Sequence, residues 1–170
     1  NEIGEIVTGK TPPTKNKEYF GKLVPFITPR DMTSNKFIKS TERYLSKEGK
    51  ILLKNIVLPE NSICVSCIGS DMGKVAINKY ESITNQQINA IIPKNLNYNF
   101  VYYSIFLLKK ELKNLAYHST AIPILNKSQF SKIKICIPSI ESEINKISEV
   151  LSYLDDKIEL SNKINSILEQ

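Results

Sequence analysis

Histidine is almost missing from this chain of 170 residues, and its single copy, His118, excludes any site that needs two imidazoles. Carboxylates are sparse before residue 141. Asp31 and Asp71 fall in loops without an acidic neighbour, so the clustered acids of two-metal nuclease chemistry are lacking. No stretch approaches the ~18 uninterrupted apolar residues of a membrane span. No basic-plus-apolar leader opens the chain at Asn1, so the expected location is the cytoplasm. There is no Walker A loop, no GxGxxG after a strand, no HExxH and no GxSxG. The Asn-Pro-Pro-Tyr/Phe motif of amino-group DNA methyltransferases is absent as well. These absences predict a chain without catalysis, metal or cofactor of its own.

Arginine is also scarce: only Arg30 and Arg43 occur among 23 basic residues. The net charge of +6 hides a division. Residues 1–140 hold 20 Lys and Arg against 10 Asp and Glu, a net +10, while residues 141–170 hold three lysines against seven acids, a net −4. Heavy Lys, Asn and Ile use fits an AT-rich genome, but codon bias does not explain a change of sign. A basic body suits a polyanion and an acidic tail suits some other contact.

Three cysteines are present, and Cys64 and Cys67 form a CxxC. The remaining ligand candidates, His118 and Cys136, are distant. The pair lies in Ser62–Ile68, which reads as a buried strand, and residues three apart on a strand face opposite sides. Buried thiols in a reducing compartment are the expectation, not a zinc site.

A hydrophobic fraction of 41% with eight tyrosines excludes wholesale disorder and suffices for one full core. Strands are predicted at Val24–Thr28, Ser62–Ile68, Lys74–Asn78, Ile88–Ile92 and Lys132–Ile137, all rich in β-branched residues. Helices are predicted at Ser46–Lys54, capped by Ser46, and at Tyr98–Ala116. In the second, Val101, Ile105, Leu108, Leu112 and Leu115 form a core-facing stripe. The sum is a mixed α+β body, a loop-rich twisted sheet with a few helices, over residues 1–138.

From Ser139 to Gln170 there is neither Gly nor Pro. Ser139 can cap a helix that carries Glu141 and Glu143 in its first turns. Ile144, Ile147, Leu151, Leu154 and Ile158 then follow 3-4-3-4 spacing, the a/d seam of a coiled coil. Beyond Ile158 the apolar stripe drifts to Leu160, Ile164 and Ile167. About thirty helical residues span roughly 45 Å, more than a small domain covers. Part of the helix over residues 139–170 must therefore pack on another helix, the plainer alternative being a terminal helix folded back on its own domain.

Five polar loops carry the remaining signal. They are Gly9–Lys17, Thr28–Asp31, Ser66–Lys74, Thr84–Gln87, and His118–Thr120 with Asn126-Lys127. Lysine, arginine and amide side chains on a rigid sheet suit phosphate positioning with base readout. Lys10, Lys15, Lys17 and Lys74 are the phosphate candidates, and four such contacts give a salt slope near about −3.6. Arg30, Asn85, Gln86, Gln87, Ser119 and Thr120 are candidates for reading bases or holding the readers, with Thr11, Asp31, Ser70 and Lys127 completing the loops. Two plainer readings stand beside these. Asn85–Gln87 can bond the fold's own backbone, and Arg30–Asp31 can be a surface ion pair worth ~0–1 kcal/mol.

The order of GKTP, PFITPRDM, LPENSICVSCIGSDMGKVAI, TNQQINAI and LNKSQFSKIKICIPSIESEINKISEVLSYLDDKIEL resembles a target recognition domain plus conserved helical region. The family is the DNA specificity subunit of type I restriction–modification systems. That family's subunit carries two such domains and two helical regions, and this chain holds one of each, which implies a half-subunit or a fragment. After Pro138 the family's usual Pro-Leu and Glu-Gln are replaced by Ser139-Ile-Glu-Ser-Glu143. The resemblance implies double-stranded DNA as ligand. It implies methyltransferase subunits that bind S-adenosylmethionine and methylate adenine, and a restriction subunit, as partners. It also implies that residues 139–170 are a helical spacer and dimerisation region, forming an antiparallel coiled coil with a second helix from another half-subunit or a homodimer. A recognition domain of a fused restriction–methylation enzyme, or a protein-only adaptor assembling through its helix, would share these features.

Overall fold

The computed structural model describes residues 3–117 and 123–169. It divides into two compact units, Asn1–Ile135 and Cys136–Gln170. The first is mixed α+β, as the strand and helix patterns predict.

Its main sheet has five strands in the order β1-β8-β5-β6-β3. They are β1 (Gly4–Thr8), β3 (Phe37–Ile38), β5 (Ile63–Ser66), β6 (Val75–Asn78) and β8 (Ile88–Pro93). β1, β8, β5 and β6 pair antiparallel, and β3 joins β6 in parallel. A smaller sheet places β2 (Phe20–Ile27) between β4 (Arg43–Leu45) and β7 (Ile83–Thr84). Because cores cover both faces of the sheet, its central strands read as nearly continuous apolar runs and not as an alternation. Ile63, Val65, Val75, Ile77 and Ile91 enter one core, beneath Val101, Ile105 and Leu112. Cys64, Ala76, Ile88 and Ala90 enter another on the opposite face, with Val7, Ile27 and Leu58. A third cluster of Val24, Phe26, Leu45, Leu53 and Ile83 fills the smaller sheet.

Helix α1 (Lys47–Leu52) starts where Ser46 predicts. The Ser46 hydroxyl accepts from Gly49 N–H at 3.1 Å and donates to the Glu18 carbonyl at 2.5 Å. The single helix predicted over Tyr98–Ala116 is two, α2 (Tyr98–Leu107) and α3 (Lys109–Tyr117), with Leu108 leaving helical geometry between them. Val101, Ile105 and Leu112 keep their place in the core, but Leu115 is exposed because α3 departs from the core after Leu112.

Lys132–Ile137 is not a strand. Ile133 and Ile135 pack on the core while Lys132 and Lys134 stay exposed, so the alternation is present. The backbone forms no ladder among the described residues, and an extended chain without a neighbour is not a sheet member. β1, β3, β4 and β7 are strands that the apolar patterning did not flag. A short helix, α4 (Lys127–Phe130), carries a capping box in which Asn126 and Gln129 bond each other's backbone.

In the second unit, α5 (Glu141–Leu168) runs for 28 residues, about 42 Å. Ser139 does not cap it. Ile140 is the N-cap and makes no side-chain cap bond, so the start relies on Glu141 and Glu143 against the helix dipole. Along the predicted seam Ile144 is buried and Leu151 half-buried, while Ile147, Leu154 and Ile158 are exposed. Among the described residues no helix is long and apolar enough to cross a membrane.

Cys64 and Cys67 occupy different cores, as the strand geometry predicts. Burial pushes the Cys64 thiol up to about 12 and the Cys67 thiol up to about 11, whereas Cys136 is exposed. In the folded chain, dithionitrobenzoate at pH 8 is expected to titrate Cys136 alone, and denaturant to release the other two. Because the unfolded thiols ionise first, stability to urea is expected to fall as pH rises from about 9 toward 11–12. Replacing Cys64 and Cys67 by Ala should flatten that part of the pH profile, and rapid labelling of all three thiols in the native chain would contradict the packing.

Candidate nucleic-acid interface

Strand polarity decides where the loops go. β1, β2, β5 and β7 end, and β6 and β8 begin, at one end of the two sheets. Four of the five loops predicted from the sequence follow or precede those ends. Main-chain hydrogen bonds knit them together through the segment Thr84–Ile88. Gly9 N–H donates to the Ile88 carbonyl at 3.1 Å and Lys10 N–H to the Thr84 carbonyl at 2.9 Å. Asn85 N–H donates to the Ile27 carbonyl at 2.9 Å, and Cys67 N–H to the Gln87 carbonyl at 2.8 Å. The end of the fifth loop joins the same junction, since Leu125 N–H donates to Cys67 and Gly69 N–H to Pro123.

The contact at Gly9 is close enough to exclude a side chain. A Cβ there would sit 2.1 Å from the Asn85 carbonyl oxygen and 2.3 Å from Thr84 Oγ1. Gly69 and Gly73 instead supply positive φ, +82° and +81°, to the turn that carries exposed Ser70.

The amides are engaged within the protein. Asn85 is buried, its Nδ2 donates to Gln87 Oε1 at 2.9 Å, and its Oδ1 accepts from Gln87 N–H at 3.1 Å. Gln86 is exposed, but its Oε1 accepts from the Thr11 hydroxyl at 2.6 Å. Asp31 does not pair with Arg30. Its Oδ2 accepts from Thr28 N–H at 2.7 Å and the Thr28 hydroxyl at 2.8 Å, and its Oδ1 from Glu42 N–H at 2.8 Å. Lys74 Nζ lies 2.9 Å from Asp71 Oδ1 and donates to the Pro29 carbonyl at 3.1 Å. Among the predicted candidates at this end, that leaves Lys10 and Arg30 as exposed cations without an internal partner among the described residues, while Lys109 and Lys113 lie beside Gly73 of the third loop.

Three candidates lie elsewhere. Lys15 and Lys17 precede β2, at the opposite end of that strand from Thr28–Asp31. Lys127 shares a groove with Gly4, Glu5, Ile6 and Lys94, at the far end of the β1–β8 ladder. Ser119, Thr120 and His118 lie outside the described residues. A separate cleft of about 490 Å³, lined in part by Leu23, Lys39, Tyr44, Lys79 and Tyr80, sits at the C-terminal end of β6 and holds no candidate residue.

The sequence reading missed Asn89. It is buried in β8, accepts the Thr8 hydroxyl at 2.7 Å and donates to the Leu125 carbonyl at 3.3 Å, so it clamps β1 and the fifth loop to the junction. One polar residue inside the apolar run Ile88–Ile92 was the available signal.

A model of the type I restriction modification DNA specificity domain matches residues 1–170. The chain is 44% identical to the specificity subunit of type I restriction enzyme HindI from Haemophilus influenzae, over 83% of this chain and 31% of that protein. It is 36% identical to the MjaIX specificity subunit from Methanocaldococcus jannaschii, over 99% of this chain and 40% of that protein. Among solved structures, the S subunit of a type I system from M. genitalium superposes with TM-score 0.70 at 17% identity, over 98% of this chain and 40% of that one. The HsdS subunit from Thermoanaerobacter tengcongensis gives 0.71 at 15% identity, over 96% and 37%. The chain thus spans about a third to two fifths of the length of these relatives.

Gly9→Ala tests the junction directly. The added methyl must displace main chain, so a loss of about 1–3 kcal/mol is expected, read as a fall of several degrees in Tm. An unchanged Tm would show that the first and fourth loops are not held together.

Proposed function

The chain belongs to the DNA specificity family of type I restriction–modification systems, and from that premise we propose that its N-terminal unit reads one half of a two-part DNA site. The observation that supports the reading most is the convergence of loops from both sheets on the Thr84–Ile88 segment, at an end where Lys10 and Arg30 project. A scaffold whose loop roots are hydrogen-bonded to one another suits recognition, because little ordering entropy is lost on binding. The net +10 over residues 1–140 supplies the attraction to phosphates.

In this proposal the chain performs no chemistry. Partner methyltransferase subunits bring S-adenosylmethionine and methylate adenine, and a restriction subunit cuts, all in the cytoplasm. α5 acts as a spacer that lies against a second helix, from another copy or another half-subunit, and so sets the distance between half-sites. The exposure of Ile147, Leu154 and Ile158 along one seam supports that role.

Mapping adenine methylation in a host with and without this gene tests the reading. A methylated motif is expected to vanish on deletion, and an unchanged methylome would overturn it. Binding by the assembled complex should weaken with salt by about 0.9 log units per log unit of salt for each phosphate contacted.

The helix makes a second expectation. Leu154→Asp is expected to weaken association at least about tenfold, since a buried leucine contributes ~1.5–3 kcal/mol, while the body's Tm stays in place. Sedimentation with and without a co-expressed second half measures it. Undiminished association in the variant would exclude the seam.

A further inference from the structure

We propose that Arg30 reads a guanine in the half-site, and that Lys74 and Asp31 are positioning residues for it, not DNA contacts. The inference rests on the DNA-reading role and assigns the reading of one base pair to one side chain. Thr28-Pro-Arg-Asp31 is a turn closed by Asp31 N–H donating to the Thr28 carbonyl at 3.0 Å, and Arg30 occupies its tip. The turn is fastened on both sides of that residue. Before it, the Pro29 carbonyl accepts from Lys74 Nζ at 3.1 Å, and Lys74 is itself held by Asp71 at 2.9 Å. After it, both carboxylate oxygens of Asp31 accept bonds, from Thr28 and from Glu42 N–H. Arg30 itself is exposed and bonds to nothing within the described residues.

The amide candidates among the described residues are already committed. Asn85 and Gln87 bond each other, and Gln86 accepts from Thr11, so the bidentate amide pattern that suits adenine is broken up. The other arginine, Arg43, stacks its guanidinium over Phe20 at 4.4 Å and Phe26 at 5.5 Å. Lys10 is a point charge without the planar fork. A guanidinium on a fastened turn meets the paired acceptors O6 and N7 of guanine, the base edge that matches its geometry.

The methylated motif, mapped in hosts carrying the native gene or its variants, tests this. In Arg30→Ala, discrimination at one G·C pair is expected to fall roughly 5- to 150-fold while the other positions of the motif persist. Arg30→Lys should not restore it. Lys74→Met should relax the same position and leave the salt slope of binding unchanged. A motif kept by Lys74→Met with a slope shallower by about 0.9 would make Lys74 a phosphate contact and overturn its positioning role. Uniform weakening of all sequences by Arg30→Ala would overturn the proposal. That variant removes an exposed side chain with no internal bond, so loss of folding does not obscure the result. A native complex with no sequence motif at all would instead overturn the DNA-reading role.

Discussion

The main chain of Thr84–Ile88 is the constraint on which this fold's working end depends. It leaves the small sheet at β7 and enters the large one at β8, so it must bridge two cores that share no strand. Its groups cannot be satisfied by either ladder alone, and loops from β1, β2 and β5 complete them. Each such bond adds only about 0.5–1.5 kcal/mol, but leaving a buried group unpaired costs about 1–3. The junction is therefore cooperative: loosening one loop strands the partners of another. Gly9 shows how tightly the condition is met, because there is no room for even a methyl group between it and Asn85.

That condition separates scaffold from reader. Side chains facing the junction, such as Asn85, Gln87, Asn89 and Asp31, spend their hydrogen-bonding capacity inside the protein. Those pointing away from it, such as Lys10 and Arg30, do not. A recognition surface needs both kinds: the first fixes backbone positions, and the second can change without disturbing them. Variation at Arg30 costs the fold nothing, whereas variation at Asp31 releases three bonds.

Much of the sheet was legible in the sequence because burial on both faces leaves few polar residues among the isoleucines and valines of its central strands, as at Ile63–Ser66 and Ile88–Pro93. The strands that escaped notice are only two residues long, as β3 and β7, or carry an exposed charged residue, as Glu5 in β1 and Arg43 in β4, and only pairing with a distant segment makes them strands. The opposite error, at Lys132–Ile137, has the same origin: alternation reports which side chains are buried, not whether a neighbour lies alongside. The five loops were legible as polar punctuation between strands, but their division into readers and fasteners was not. Asp31 and Arg30 are adjacent and look like an ion pair, yet the carboxylate turns to backbone N–H groups three and eleven residues away. Such choices depend on distances that no spacing encodes.

Net charge is a similarly blunt guide. The excess of +10 over residues 1–140 counts lysines that the fold employs elsewhere. Lys36 donates to the Tyr103 hydroxyl at 2.9 Å and lies over the rings of Phe37, Tyr102 and Tyr103. Lys50 pairs with Glu81, Lys94 with Glu5 and Lys74 with Asp71. An ammonium with a carboxylate partner contributes little field beyond a Debye length of about 8–10 Å. The field at the junction is therefore set by the few cations that remain unpaired there, and long-range attraction by the whole body. In the proposed DNA-reading role, affinity and specificity thus draw on different residues of one chain: the lysine-rich surface would approach any duplex, and the fastened turn of Arg30 would discriminate at its own base pair.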